Sequence, residues 1–194
     1  MRRTIILAGA VLALATTQVQ AQNLKAKAEE KGKAAMKGMM GGANAPTKAV
    51  AVIHGAKGSE INGTVTFTKV AGGIRVVADL HGVPEGMHGF HVHEFGDVST
   101  PEFMSAGGHF NPMKAEHGEP KAEKRHTGDM GNIEAGARGL AKLDYVDPHM
   151  TFSGMNSILG RAVILHEKPD DYKQPTGNAG GRIAAGVIGV AKPE

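Results

Sequence analysis

From Ala49 onward the chain alternates apolar and polar residues in short runs separated by glycine-rich gaps. Ile74, Val76, Ala78 and Leu80 fall on one parity, with Arg75 and Asp79 on the other. Val65 and Phe67 alternate with Thr64, Thr66 and Thr68, and Ala141, Leu143 and Tyr145 with Lys142 and Asp144. A period of two belongs to a strand with one face in a core and the other in water. With glycines where turns need them, the pattern predicts an all-β sandwich or flattened barrel of about eight strands. Two stretches break it: Gly96 to Thr127, which holds Pro101, Pro112 and Pro120, and Glu167 to Gly181. Long irregular stretches inside a compact domain are functional or disordered. The histidines and carboxylates within or beside both point to function.

The first 48 residues do not share this pattern. Arg2 and Arg3 precede a short apolar run, Ile5 to Ala15, and Val19-Gln20-Ala21 is a small-residue cleavage pattern. Residues 1–21 therefore read as an export signal, cleaved before Gln22. The run is too short for a membrane span, and no cysteine follows it to carry a lipid. The predicted address is exported, the bacterial periplasm. Residues 22–48 read as a Lys/Ala/Met/Gly-rich flexible tether leading to a domain at 49–194. Two sharper readings of the tether stay open. Met36, Met39 and Met40 are soft ligands for Cu(I), and the lysines could attach to an anionic surface.

Charge separates along the same line. The formal net charge is +3, but Arg2 and Arg3 supply two positive charges, and residues 22–48 hold six lysines against Glu29 and Glu30. Residues 49–194 are left at −3. The basic balance belongs to the tail, so nucleic acid is excluded as an expected partner.

The chemistry lies in GFHVHEFGD, GGHFNP, EHGEPK, RHTGD and ILHEK. His91 and His93, two apart on a predicted strand, leave from one face. With His109 and His166 they offer four imidazoles and no thiolate, a set that suits Cu(II). His109, His117, His126 and Asp129 offer three imidazoles and a carboxylate, a set that suits tetrahedral zinc. A lone histidine in a β protein is usually only hydrogen-bonded, but so many at ordered spacing are not explained that way.

These stretches, together with GMHGFHVHEFGD, RHTGDMGNI, ILHEKPDD and TGNAGGRIAAGVIG, resemble the copper/zinc superoxide dismutases over residues 49 to 192, in the family's order. The resemblance implies an eight-stranded Greek-key β-sandwich or flattened barrel with two long metal-site loops. It implies one copper ion per subunit on His91, His93, His109 and His166. It implies one zinc ion per subunit on His109, His117, His126 and Asp129, with His109 bridging the two. Asp170 would link His91 to His117, with adjacent Asp171 solvated. Arg182 would guide the anion, Thr176 would narrow the channel, and Lys173 and Lys124 would add local positive charge. His88 would be a structural core histidine, while His54, His81 and His149 lie outside the motifs and are expected exposed. The implied reaction is dismutation of superoxide to oxygen and hydrogen peroxide, with superoxide as the partner and a homodimer meeting at Leu159-Gly160 and Val190.

The chain departs from the family in having no cysteine. The positions that match the usual disulfide are Phe103 and Ala185, and a bridge of that loop size contributes about 2–4 kcal/mol. Packing of Phe103, together with the metals, is expected to offset the loss. A periplasmic copper-binding or storage protein on the same fold is the alternative reading. Such a store has no use for Arg182 and Thr176, and a copper-only enzyme has none for His117, His126 and Asp129.

Overall fold

A computed structural model describes residues 45–192. The predicted export signal and residues 22–44 of the predicted tether lie outside the described residues. Eight strands form: β1 (Lys48–Gly55), β2 (Asn62–Val70), β3 (Gly73–His81), β4 (Gly86–His93), β5 (Asp129–Ala135), β6 (Ala141–Asp147), β7 (Ala162–His166) and β8 (Arg182–Val190). Their lateral order is β1-β2-β3-β6-β5-β4-β7-β8, closed into a barrel, with every pair antiparallel. The chain leaves the β1–β3 meander, crosses to β4, and crosses again from β6 to β7. The all-β expectation holds.

The alternation seen in the sequence is the inside–outside parity of the barrel. Val65, Phe67, Ile74, Val76, Ala78 and Leu80 are all buried, and Arg75 is exposed. Leu143 and Tyr145 are only partly buried against the same core, while Ala141 is fully buried. Each large side chain such as Phe67 or Phe90 contributes about 1.5–3 kcal/mol on burial.

β4 and β7 differ, because both of their faces are covered. Phe90 and Val92 point into the barrel core, while His91 and His93 on the opposite parity are also buried. Val163 and Leu165 join that core, while Ala162 and Ile164 form a second cluster with Ala106 and Ala185 on the outer face. Val98 and Phe103 pack against this second cluster. The segments before β5 and before β8 thus roof the outer face of β4, β7 and β8, and the space beneath that roof holds the histidines.

Phe103 sits in a short 3-10 segment, Pro101–Ala106, where Glu102 and Phe103 have φ of 56° and 57°. Left-handed backbone costs about 1–2 kcal/mol per non-glycine residue. The apolar seat of Phe103 and the bond its carbonyl accepts from Arg182 hold it there. Phe103 and Ala185 therefore meet the same cluster without a covalent bridge.

Candidate metal centre

β4 delivers His91 and His93 from one face, and β7, antiparallel beside it, delivers His166 from its last position. His109 is brought in by a bridge to His93, flanked by hydrogen bonds from Glu94 N to Gly108 O (2.9 Å) and Phe110 N to Val92 O (2.9 Å). Gly128 makes this approach close: a Cβ there would stand 2.1 Å from Val92 O.

One ligand atom from each of His91, His93, His109 and His166 falls within 4.8 Å of the others. Their outer nitrogens fix which atom is left to bind. His93 Nδ1 donates to Gly107 O (2.9 Å), His166 Nδ1 to Gly180 O (3.3 Å), and His91 Nε2 to Asp170 Oδ2 (2.9 Å). These oxygens can only accept, so the proton lies on the outer nitrogen and the inner one keeps a lone pair. The inner atoms are His91 Nδ1, His93 Nε2 and His166 Nε2. The last two lie 3.3 Å apart, and His91 Nδ1 is buried with no hydrogen-bond partner.

The neighbouring group is built on Asp129, the first residue of β5. Its Oδ1 stands 3.0 Å from His109 Nδ1, 3.0 Å from His117 Nδ1 and 3.1 Å from His126 Nδ1. Tetrahedral ligands at about 2.0 Å from a zinc ion lie about 3.3 Å from one another, close to this spacing. His117 Nδ1 is off the line a hydrogen bond requires and is left without a partner. Asp129 Oδ2 is occupied by the main-chain N–H of His126 (3.0 Å) and Gly118 (3.1 Å), which fixes the carboxylate plane. His109 belongs to both groups, with Nδ1 turned to Asp129 and Nε2 left for the four-imidazole side. Convergent lone pairs, orphaned buried nitrogens and a nitrogen/oxygen donor set all fit cations at both places.

Asp170 joins the groups from outside. Its Oδ2 meets His91 Nε2 and its Oδ1 meets His117 Nε2, both at 2.9 Å. The Asn132 side chain holds the main chain of Asp170, accepting from its N–H (2.7 Å) and donating to its carbonyl (2.9 Å). Gly177 is required beside it: at φ +73°, its Cβ would stand 1.7 Å from Asp170 Oδ1 and 2.7 Å from His117 Nε2. Asp171 is exposed and bound to Lys173 and Asn178.

Burial disfavours the charged form of the imidazoles on the four-histidine side. His91 and His93 are pushed down by it, His166 to about 3 and the shared His109 to about 4. His117 behaves oppositely. Burial lowers it, but Asp129 and Asp170 on its two nitrogens outweigh that and raise it to about 9. Asp129 and Asp170 are both held well below the carboxylate range: burial raises them, and their histidine partners outweigh it.

Arg182 opens β8 opposite His166. Its Nη1 donates to Phe103 O and its Nη2 to Gly107 O, each at 2.6 Å. It lines a cavity of about 260 Å³ with His93, His109, His166 and exposed Thr176. Lys124 lines a different cavity, about 490 Å³, with Met113 and His149, which contains none of these ligands. His88 lies in the interior between His166 O and Pro84 O, each at 2.8 Å. His54 and His81 are exposed, whereas His149 is half-buried in the loop after β6, its N–H bound to Asp147 Oδ1.

Four supporting residues were not singled out from the sequence. Asn132 lies within RHTGDMGNI, and Arg125 opens that stretch, so both could have been suspected from their place. Arg125 is buried, pairs with Asp147 (2.7 Å) and donates to His126 O (2.8 Å). Tyr172 and Gln174 lie in the short stretch 172–175, where nothing marked them.

A family model described as copper/zinc superoxide dismutase (SODC) matches residues 61–188. The extracellular superoxide dismutase [Cu-Zn] of Brugia pahangi is 42% identical over 153 residues, spanning 74% of this chain and 76% of that protein. Among solved structures, the crystal structure of the clock protein EA4 matches with a TM-score of 0.72 and 44% identity, over 79% of this chain and 100% of that one.

Proposed function

The chain belongs to the copper/zinc superoxide dismutase family and dismutes superoxide to oxygen and hydrogen peroxide; from that premise we propose how its own residues divide the work. His91, His93, His109 and His166 hold copper, and His109, His117, His126 and Asp129 hold zinc. The observation that carries this division is the meeting of three Nδ1 atoms on Asp129 Oδ1, beside a separate set of imidazoles whose outer nitrogens are all tied. When bound, copper supplies one-electron redox chemistry, while zinc, which has no redox states to offer, organises the loop.

Arg182 supplies the fixed positive charge in the cavity, and Thr176 restricts its mouth. A guanidinium suits this place because it stays protonated. His109 Nε2, on the cavity side, would hold a proton whenever it is not holding copper, and from there it is placed to yield that proton to the departing peroxide. Asp170 fixes the orientation of His91 and His117.

Metal analysis tests the division. Wild type is expected to hold one copper and one zinc per chain, and Asp129→Ala to lose zinc while keeping copper. Loss of copper alone from that variant would reverse the assignment.

The named relative is extracellular, which supports export of this chain, and we place it in the periplasm. A homodimer is also proposed. Val52 and Val187, exposed by 52% and 40%, share the outer parity of the neighbouring strands β1 and β8, and they are the apolar side chains offered for the interface. Gly96, Gly160 and Val187 are in close contact within it. Light scattering on fully metallated protein is expected to give twice the chain mass; a single-chain mass would rule the dimer out.

A further inference from the structure

Three of the four residues around the proposed zinc position are supported by neighbouring elements. Asp129 opens β5, His109 is bridged to the end of β4, and His126 is fixed by Asp129 through its N–H and by Arg125 through its carbonyl. His117 has no such support. It lies in an irregular stretch, and among the described residues its main chain makes no backbone–backbone hydrogen bond.

Its main chain is satisfied instead by one side chain, 57 residues away. His117 N–H donates to Gln174 Oε1 (2.9 Å), and Gln174 Nε2 donates to His117 O (2.8 Å). A primary amide presents a donor and an acceptor side by side, so it can pair with a peptide edge as a neighbouring strand would. The segment carrying Gln174 grips the ring as well. Asp170 Oδ1 takes His117 Nε2, and the Tyr172 ring lies over it with centroids 6.5 Å apart and planes 25° from parallel. Asn132, which holds the main chain of Asp170, also reaches Tyr172 Oη (3.2 Å). The segment is folded on itself by Asp171 N to Gly177 O (2.9 Å) and Gly177 N to Lys173 O (2.7 Å).

We infer that Gln174 is a positioning residue for His117: its amide latches the main chain of a zinc ligand that no strand supports, and so sets how tightly zinc is retained. This rests on the zinc assignment above. The latch spans two loops, so zinc retention depends on the segment that also carries Asp170 and Thr176. Copper retention is expected to be insensitive to Gln174 itself, because His91, His93 and His166 are set by strands and the Asp170 that meets His91 is held by Asn132 rather than by Gln174.

The test uses the full chain loaded with both metals and challenged with a chromophoric zinc chelator at neutral pH, while the cupric absorption band reports copper. Gln174→Ala is expected to weaken zinc binding by about tenfold to a hundredfold, as loss of an outer partner of a metal ligand does, with copper affinity unchanged. Gln174→Glu, which keeps the acceptor for His117 N–H and loses the donor, falls between. Lys173→Ala, in the same segment but with its ammonium on Asp171 rather than on His117, leaves zinc unchanged. Unaltered zinc affinity in Gln174→Ala, or equal weakening of zinc and copper, would overturn the latch. His117→Ala keeps the two ideas separate: if it retains zinc like the wild type, the zinc assignment itself fails. If it loses zinc and Gln174→Ala does not, only the latch fails.

Discussion

Replacing Arg182 with alanine slows catalysed superoxide decay by about tenfold to a hundredfold, the range expected for loss of a focused attractive charge, and leaves metal content unchanged. Residues 49–194 carry a formal −3, so attraction of an anion cannot come from net charge and must be local. Lys124 lines another cavity, and the Lys173 ammonium is paired with Asp171. Among the described residues lining the 260 Å³ cavity, Arg182 is the only lysine or arginine. The wild-type rate falls as salt is added, and the alanine variant shows a flatter dependence. Arg182→Lys recovers part of the rate, because it keeps the charge but cannot span Phe103 O and Gly107 O as a fork. A wild-type rate in Arg182→Ala, measured by pulse radiolysis, would remove Arg182 from the reaction.

Stripping both metals lowers the melting temperature by about 8–16 °C for each site that was held at a thousandfold excess over its dissociation constant. That follows from about 4 kcal/mol per ligand bound only to the folded state and about 2–4 °C per kcal/mol in a domain of this size. Without cations, His91 Nδ1 and His117 Nδ1 are buried and unpaired. Acid adds to the loss. Burial holds His109 to about 4 and His166 to about 3, so between pH 6.5 and those values the unfolded chain binds more protons. Their contribution is complete above about pH 6.5 and is lost as pH falls through that window. His117, raised to about 9, has the opposite sign: its contribution is complete below about pH 6.5 and is lost as pH rises through 9. Calorimetry of apo protein should therefore show greatest stability near pH 6.5 from these groups. Coincident melting of apo and metallated protein would contradict the account.

Legibility in the sequence followed how each strand is covered. β2 and β3 have one wet face, so their alternation was plain. β4 and β7 are buried on both faces, and GFHVH and AVILH show no solvent parity to read. The side chains that cluster were legible because imidazoles and carboxylates advertise their chemistry through residue type and spacing, and the resemblance ordered them. Asp170 was reached in the same way. Gln174 was not, because a neutral amide acting on a main chain has neither a ligand's identity nor a period. The missing disulfide was legible as Phe103 and Ala185, and packing of Phe103 was expected, but not the apolar seat it packs against. That depends on Ala162 and Ile164 facing outward beneath a roofing loop, which no local pattern of residues 101–106 reveals. Exposure of His149 was misjudged for a similar reason: Asp147 fixes the turn after β6 and draws it inward.

This cysteine-free barrel disposes its histidines for superoxide dismutation without a covalent brace. The direct test is superoxide decay catalysed by protein carrying one copper and one zinc per chain, followed by pulse radiolysis with and without a thiol reductant. Fast decay that is nearly independent of pH around neutrality, and indifferent to the reductant, is the predicted result. No catalysis with both sites fully occupied would contradict it.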